Sequence, residues 1–237
     1  MDGRAFSVNH TPVKKMKKMS FKPASEYEWV VWDWNGTLLD DAWLCRDCIN
    51  LLLHKRGLPQ LSPHRYMEIF DFPIIEYYRK AGFDFEREPF EKLGLEFIDD
   101  YHVRRPECRL QEGATDVLAA LDARGMPQAV LSASEHTSLE NALSHFGIRG
   151  RFRRVLGIED HYATGKEQQG RRLMAELQPD PARVLLVGDT RHDHEVAAAM
   201  GVDCALIVSG NHTRDRLEET GRPVFDSLRE FSRVFMG

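Results

Sequence analysis

The sequence predicts an α/β fold: a parallel sheet with helices on both faces, interrupted after its first strand by an all-helical module. Two observations carry this prediction. Beyond Gly113, short apolar runs of strand length alternate with segments of helical periodicity, the pattern of repeated strand–helix–strand units. Between residues 42 and 111 only helical spacing is found. The 237 residues exceed the ~100–150 of a typical domain but suit one core carrying a large insertion.

The first strand is read at Trp29-Val30-Val31-Trp32, an apolar run that stops at Asp33 in a polar turn. Helical spacing then links Leu44, Cys48, Leu51 and Leu52 before Gly57, covers Pro73 to Ala81, and links Phe90, Leu93, Phe97 and Tyr101. Val117, Leu118 and Leu121 mark a helix closed by Gly125, followed by a strand from Gln128 to Leu131. Leu139, Leu143 and Phe146 mark another helix before Gly147, with a short strand at Arg154 to Leu156. Further strands are read at Val184 to Val187 and Cys204 to Val208. The expected division is a flexible N-terminal tail at 1–25, a core at 26–41 and 112–237, and a helical cap at 42–111.

Composition narrows the function classes. Lys and Arg total 32 against 37 Asp and Glu, and the net charge of −5 offers no global attraction for nucleic acid or an anionic membrane. An anionic substrate must therefore be captured locally. Cys45, Cys48, Cys108 and Cys204 are too few and scattered for a disulfide framework, and Cys45-x-x-Cys48 lies in a helix without a second Cys or His pair. No apolar run approaches the ~18 residues of a membrane span. Lys14, Lys15, Lys17 and Lys18 lie in a segment without the apolar stretch of a secretory signal, which gives a cytoplasmic reading and leaves Met19 as a possible start.

Chemistry concentrates at the predicted strand ends. Asp33-Trp34-Asn35-Gly36-Thr37 places a carboxylate nucleophile in a Gly-containing turn whose backbone N–H groups can cradle a phosphoryl oxygen. Ser132 ends the second core strand, Lys166 opens a helix, and Gly188-Asp189-Thr190-Arg191-His192-Asp193 follows the Val184 strand. A parallel sheet gathers such positions at its carboxyl edge. Asp193 also suits a helix N-cap before Val196, Ala197 and Met200. His192 and His194 stand two apart without a further nearby ligand, which disfavours a zinc site. His136 begins the helix after Ser132.

In order and chemistry these segments resemble the four motifs of the haloacid dehalogenase superfamily, over essentially everything after residue 26, with the insert resembling its C1-type cap. Phosphoglycolate phosphatase-like members are similar in cap type and position. The resemblance implies a Rossmann-like core and a magnesium-dependent phosphatase acting on a small phosphorylated metabolite, with no nucleic acid or membrane partner. It implies Asp33 as nucleophile, and Mg²⁺ on Asp33, the Asn35 carbonyl, Asp189 and Asp193, the last directly or through water. Ser132 and Lys166 would hold the transferring phosphoryl group, alongside Trp34, Asn35 and Ala133.

One position departs from the pattern. Phosphatases of this family carry a second Asp two residues after the nucleophile, where this chain has Asn35, and an amide exchanges no proton at neutral pH. Three readings follow: a phosphatase that is slow or acts on good leaving groups, phosphonoacetaldehyde hydrolase-like chemistry through a cap lysine (Lys55, Lys80 or Lys92), or a phosphate-binding module without turnover. Arg65, Arg79, Tyr77 and Tyr78 are the cap's candidates for substrate contact.

Overall fold

A computed structural model of the chain describes residues 21–158 and 165–237. Strand β1 (Trp29–Trp32) leads through the turn at Asp33 to the two-residue strand β2 (Leu39–Asp40). Helices α1 (Ala42–Lys55), α2 (Pro63–Ile69), α3 (Ile74–Ala81) and α4 (Phe90–Arg104) follow, and β3 (Arg109–Leu110) returns antiparallel to β2. The remaining chain forms α5 (Ala114–Ala123), β4 (Gln128–Glu135), α6 (His136–His145), β5 (Arg154–Ile158) and α7 (Lys166–Leu177). It ends with β6 (Val184–Gly188), α8 (Arg191–Met200), β7 (Asp203–Ile207), α9 (Arg214–Glu218), β8 (Val224–Phe225) and α10 (Leu228–Met236).

The main sheet is parallel throughout, in the order β5-β4-β1-β6-β7-β8. The two-residue period of β1 splits its side chains between two cores. Val30 and Trp32 pack with Leu118, Leu121, Leu143 and Phe231 on one face, and Val31 packs with Leu173, Val196 and Met200 on the other. Burial on both faces explains the continuous apolar strands. Among the described residues, no helix is long and apolar enough to cross a membrane.

The insert has its own core, in which Ile49, Leu52, Leu53, Tyr66, Tyr77, Tyr78 and Leu93 meet. Leu51, grouped by sequence with the buried face of α1, is 40% exposed, and Ile49 and Leu53 take that place. Helix α2 was not read from the sequence, although Ser62 caps it by accepting from the Arg65 N–H and Pro63 supplies its first position. Nor were β2, β3 and β8, each two residues long and too short to show a period. Residues 21–25, assigned to a tail, pack on the core: the Phe21 ring lies 5.3 Å from that of Phe225, and Lys22 pairs with Asp203 at 2.8 Å. The lysines at 14–18 and Met19 lie outside the described residues.

Among the contacts that hold the insert over the sheet's carboxyl edge, two joints stand out. One is the β2–β3 ladder, extended by the Gln111 N–H donating to the Leu38 carbonyl at 2.8 Å. The other joins α2 and the α2–α3 connection to α9 and the loop that precedes it. There Arg216 donates to the carbonyls of Met67 and Phe70, both at 2.7 Å, and pairs with Asp71, while Tyr66 Oη donates to Asn211 Oδ1 at 2.7 Å.

Candidate active site

Asp33 and Asp189 follow β1 and β6, neighbouring strands in register from Trp29↔Val184 to Trp32↔Val187. The chain leaves β1 toward β4 and β5 on one side and returns to β6 on the other, so both carboxylates stand at the reversal of strand order, where open α/β sheets bind ligands. Lys166 enters as the first residue of α7, donating from Nζ to Asp33 Oδ1 at 2.5 Å and to Asp193 Oδ1 at 2.6 Å. Asp193 is not the N-cap of α8: Thr190 is, and Asp193 sits three residues inside, closing a capping box. Its Oδ2 accepts from the Thr190 N–H (2.9 Å), Thr190 Oγ1 (2.7 Å) and the Asp189 N–H (3.2 Å). Glycine is required around this cluster. Gly36 has φ +77°, and a β-carbon there would collide with the Asp189 carboxylate, while one at Gly188 would collide with that of Asp193.

Carboxylate oxygens of Asp33, Asp189 and Asp193 lie within 4.8 Å of one another, all buried, with Lys166 the buried ammonium among them. Three acids against one base leave an excess of negative charge in a low-dielectric setting. Burial pushes the Asp33 carboxyl up to about 7 against the pull of Lys166. Burial and the neighbouring Asp33 and Asp193 push Asp189 well above the ordinary range. At Asp193 burial acts the same way, but Lys166 and Thr190 outweigh it and hold the carboxyl low. Burial also opposes the charge on Lys166, yet Asp193 and Asp33 keep its ammonium raised. Hard oxygen donors with uncompensated charge suit Mg²⁺.

The residues that orient these acids had no assigned role in the sequence reading, although Thr37 closes the Asp33 motif. Thr37 Oγ1 donates to Asp189 Oδ1 at 3.1 Å, and Asn211 donates to Asp189 Oδ2 from its backbone N–H (2.7 Å) and Nδ2 (3.2 Å). Through Tyr66, Asn211 ties that acid to the cap. No local motif marks Asn211, because its partner is 22 residues away in sequence.

The Asn35 amide is fully engaged. Its Nδ2 donates to Asp41 Oδ2 at 2.6 Å and to Tyr101 Oη at 2.9 Å, and its Oδ1 accepts from Ser134 Oγ at 2.7 Å. Asp41 is buried, and its other oxygen accepts from the Gly36 N–H at 2.8 Å while Tyr101 Oη donates to Oδ2 at 2.6 Å. Ser134 and Asp41 were not singled out in the sequence, and Tyr101 was read only as part of a helical face. Ser132 does not end its strand: β4 runs on to Glu135, its register with β5 shifting between Leu131 and Glu135. The two-residue period sends Ser132 and Ser134 to one face, where Ser132 Oγ reaches Asn35 Oδ1 only at 3.5 Å.

A cavity of about 350 Å³ separates this floor from the cap, and Asp33, Asn35, Ala133, Ser134, Lys166, Asp189 and Asp193 line it. Ser132 and Trp34 are not among its lining residues, and the buried Trp34 indole packs on Phe146 in the core. Of the cap candidates, Tyr77 and Tyr78 line the cavity. Arg65 pairs with Glu68, Arg79 with Glu76, Lys55 with Asp100 and Lys92 with Glu88, and neither these nor Lys80 lines it. His192 stacks on Phe72 (4.4 Å) and His194 accepts from Arg222, so the two histidines have separate surroundings. His136 is exposed, its Nδ1 accepting from the Gly157 N–H at 3.4 Å. Cys45 and Cys48 are free thiols in α1.

Residues 30–207 match the family model described as haloacid dehalogenase-like hydrolase. The chain belongs to that family. Among curated relatives of this haloacid dehalogenase-like hydrolase, tyrosine-protein kinase PtkA of Mycobacterium tuberculosis is 28% identical over 216 residues, covering 88% of this chain and 73% of that protein. Phosphoglycolate phosphatase 1 of Pseudomonas aeruginosa is 30% identical over 214 residues, covering 85% and 77%. The solved structure of protein SP0104 from Streptococcus pneumoniae shares the fold with a TM-score of 0.78 at 15% identity, over 89% of this chain and 99% of that one.

Proposed function

We propose that this chain is a magnesium-dependent phosphatase that hydrolyses phosphate monoesters of small metabolites through an aspartyl-phosphate on Asp33. The observation that carries this reading is the Asp33 carboxylate, buried at a strand end, held by Lys166 at 2.5 Å and grouped with two further acids. Membership of a hydrolase family and the likeness to a phosphoglycolate phosphatase support it.

Asp33 and Asp189 would hold Mg²⁺ together with the Asn35 backbone carbonyl. The Asp193 oxygens already accept from Lys166, Thr190 and Asp189, which favours contact through water. When bound, the ion supplies charge neutralisation between an anionic nucleophile and an anionic ester. The chain's own residues do the rest. Lys166 holds Asp33 in position and offsets the charge that develops on the phosphoryl oxygens. An Asp33 oxygen bonds to phosphorus as the ester oxygen departs, and water then attacks the same phosphorus, releasing phosphate and restoring the carboxylate. Asn35 moves no proton in either half. Its amide is a fixed strut between Asp41, Tyr101 and Ser134.

No cap lysine lines the cavity, which removes the support for an imine route. Phosphate release from a panel of phosphorylated metabolites should require Mg²⁺ and stop in EDTA. Undiminished release in EDTA would refute the metal assignment, and no release from any ester would favour a binding module.

A further inference from the structure

We infer that the substrate is an ester of a phenol, a small aryl phosphate whose ring lies against the cap while its phosphate meets Asp33. This rests on the phosphatase reading and deepens it. Two independent observations converge on it, one from the roof of the cavity and one from its floor.

The cap side of the cavity is mostly apolar, with Phe70, Ile74, Tyr77, Phe97, Ile98 and Tyr101 on it, and it also carries Glu91 and His102. These rings pack against one another: Phe70 and Tyr77 lie 5.2 Å apart edge to face, and Phe97 and Tyr101 stack at 6.0 Å. A wall of this kind gains by covering an aromatic or aliphatic body, at roughly 25 cal/mol per Å² of apolar surface removed from water, with a further gain from edge or offset ring contacts. Lys166 is committed to Asp33 and Asp193, and Arg105, a cap guanidinium that reaches the cavity, donates through Nη1 to Ser138 Oγ at 2.5 Å. About 350 Å³ is at the small end of ligand pockets and admits one ring with modest substituents.

At the position two residues after Asp33 the floor carries an amide where an alkyl ester calls for an acid, and Glu91, His102 and Glu135 stand elsewhere on the lining. Breaking phosphorus–oxygen bonds to an ordinary alcohol expels a strongly basic alkoxide, and a positioned acid contributes about 10²–10⁴-fold to that step. Asn35 stands in that place with both ends of its amide engaged. A phenol ionises near pH 10, as the tyrosine side chain does, and leaves as phenoxide without help. In the first step an Asp33 oxygen bonds to phosphorus, and the phosphorus–oxygen bond to the ring breaks with its electron pair on the phenoxide, which takes a proton from solvent. In the second, water bonds to phosphorus and the bond to Asp33 breaks, both hydrogens of the water leaving on the phosphate. No further reactant is needed.

The same phenyl phosphate chemistry is presented by a free aryl phosphate and by a phosphotyrosyl side chain. The test uses the full-length native protein with Mg²⁺, comparing kcat/KM for phenyl phosphate, a phosphotyrosyl peptide, benzyl phosphate, ethyl phosphate and 2-phosphoglycolate. Phenyl phosphate should exceed 2-phosphoglycolate by about 100-fold or more, the acid-independent part of the advantage. Benzyl phosphate, a poor leaving group that still carries a ring, should show a KM about 10-fold below that of ethyl phosphate, which isolates the roof from the leaving group. A peptide weaker than phenyl phosphate assigns the site to free aryl phosphates; a stronger one assigns it to protein tyrosines. Ile98→Asn should raise KM for phenyl phosphate about 10-fold and leave inhibition by inorganic phosphate unchanged. Equal or better use of 2-phosphoglycolate or ethyl phosphate overturns the inference and leaves the phosphatase standing. Release from none of the five overturns both.

Discussion

The floor and the roof of the cavity are built on opposite principles. On the floor, buried charged and polar groups are held by named partners: Asp33 and Asp193 by Lys166, Asp189 by Thr37 and Asn211, Asn35 by Asp41, Tyr101 and Ser134. On the roof, the cavity is bounded mainly by rings and aliphatic chains, and the hydroxyl of Tyr77 is buried with no hydrogen-bond partner among the described residues. A network fixes atoms to within tenths of an ångström and does chemistry; an apolar wall selects by shape and surface and tolerates repacking. Substitutions should therefore act on turnover and stability together at the floor, and on substrate affinity at the roof.

The largest effect is expected at the floor's cation. Lys166→Met would leave two buried carboxylates without their shared partner, and breaking a buried pair from one side costs about 3–5 kcal/mol. Turnover should fall at least about 10²-fold, as when a charge-stabilising donor is removed. Circular dichroism melting and phosphate release check both. A variant as stable and active as the parent would show that the floor is not a network.

Asn35 gives an intermediate and sharper case. Considered without its surroundings, Asn35→Asp restores a missing acid and should raise turnover of poor leaving groups. In its surroundings, the new carboxyl would stand where Nδ2 now donates to Asp41 at 2.6 Å, and two buried acids at that distance must share a proton. Asn35→Asp alone should destabilise by about 1–3 kcal/mol and bring little gain, through the lost hydrogen bond and like-charge contact. Combined with Asp41→Asn, which returns one acid and one amide to the pair, stability should recover. A double-mutant cycle in thermal unfolding measures the coupling, and additive losses would contradict it.

The smallest effect belongs to the roof. Tyr77→Phe removes a hydroxyl that has no partner, so stability should stay within about 1 kcal/mol of the parent or improve. A larger loss in chemical denaturation would mean that the Tyr77 hydroxyl, like those of Tyr66 and Tyr101, is held by a polar contact.

The same contrast decides what could be read from sequence. The α/β architecture was legible because strands buried on both faces read as unbroken apolar runs, and the positions of Asp33, Lys166, Asp189 and Asp193 followed from strand ends and helix starts. Their chemistry is tied to short motifs. Asn211, Ser134 and Tyr101 were not legible, since each meets its partner across 22 to 99 residues of chain and only folding brings them together. Asp41 was hidden for a different reason: beside Asp40 it reads as surface charge, and only the structure shows that its carboxylate is buried beneath Asn35. The direction of the Trp34 side chain was hidden by the same limit, because the residue after Asp33 can turn either way and here its indole turns to Phe146. The roof residues could be assigned to helices but not to the cavity, since an aromatic at helical spacing looks the same whether it faces a neighbouring helix or a ligand.

The most direct test of the account is capture of the phosphorylated enzyme. Protein mixed with Mg²⁺ and an aryl phosphate should be quenched in acid within one turnover, digested, and the phosphate located by mass spectrometry. The account predicts phosphate on the peptide carrying Asp33, absent from Asp33→Asn, with release in that variant reduced by at least about 10⁴-fold. Phosphate release that survives in Asp33→Asn, or phosphate found on another residue, would contradict it.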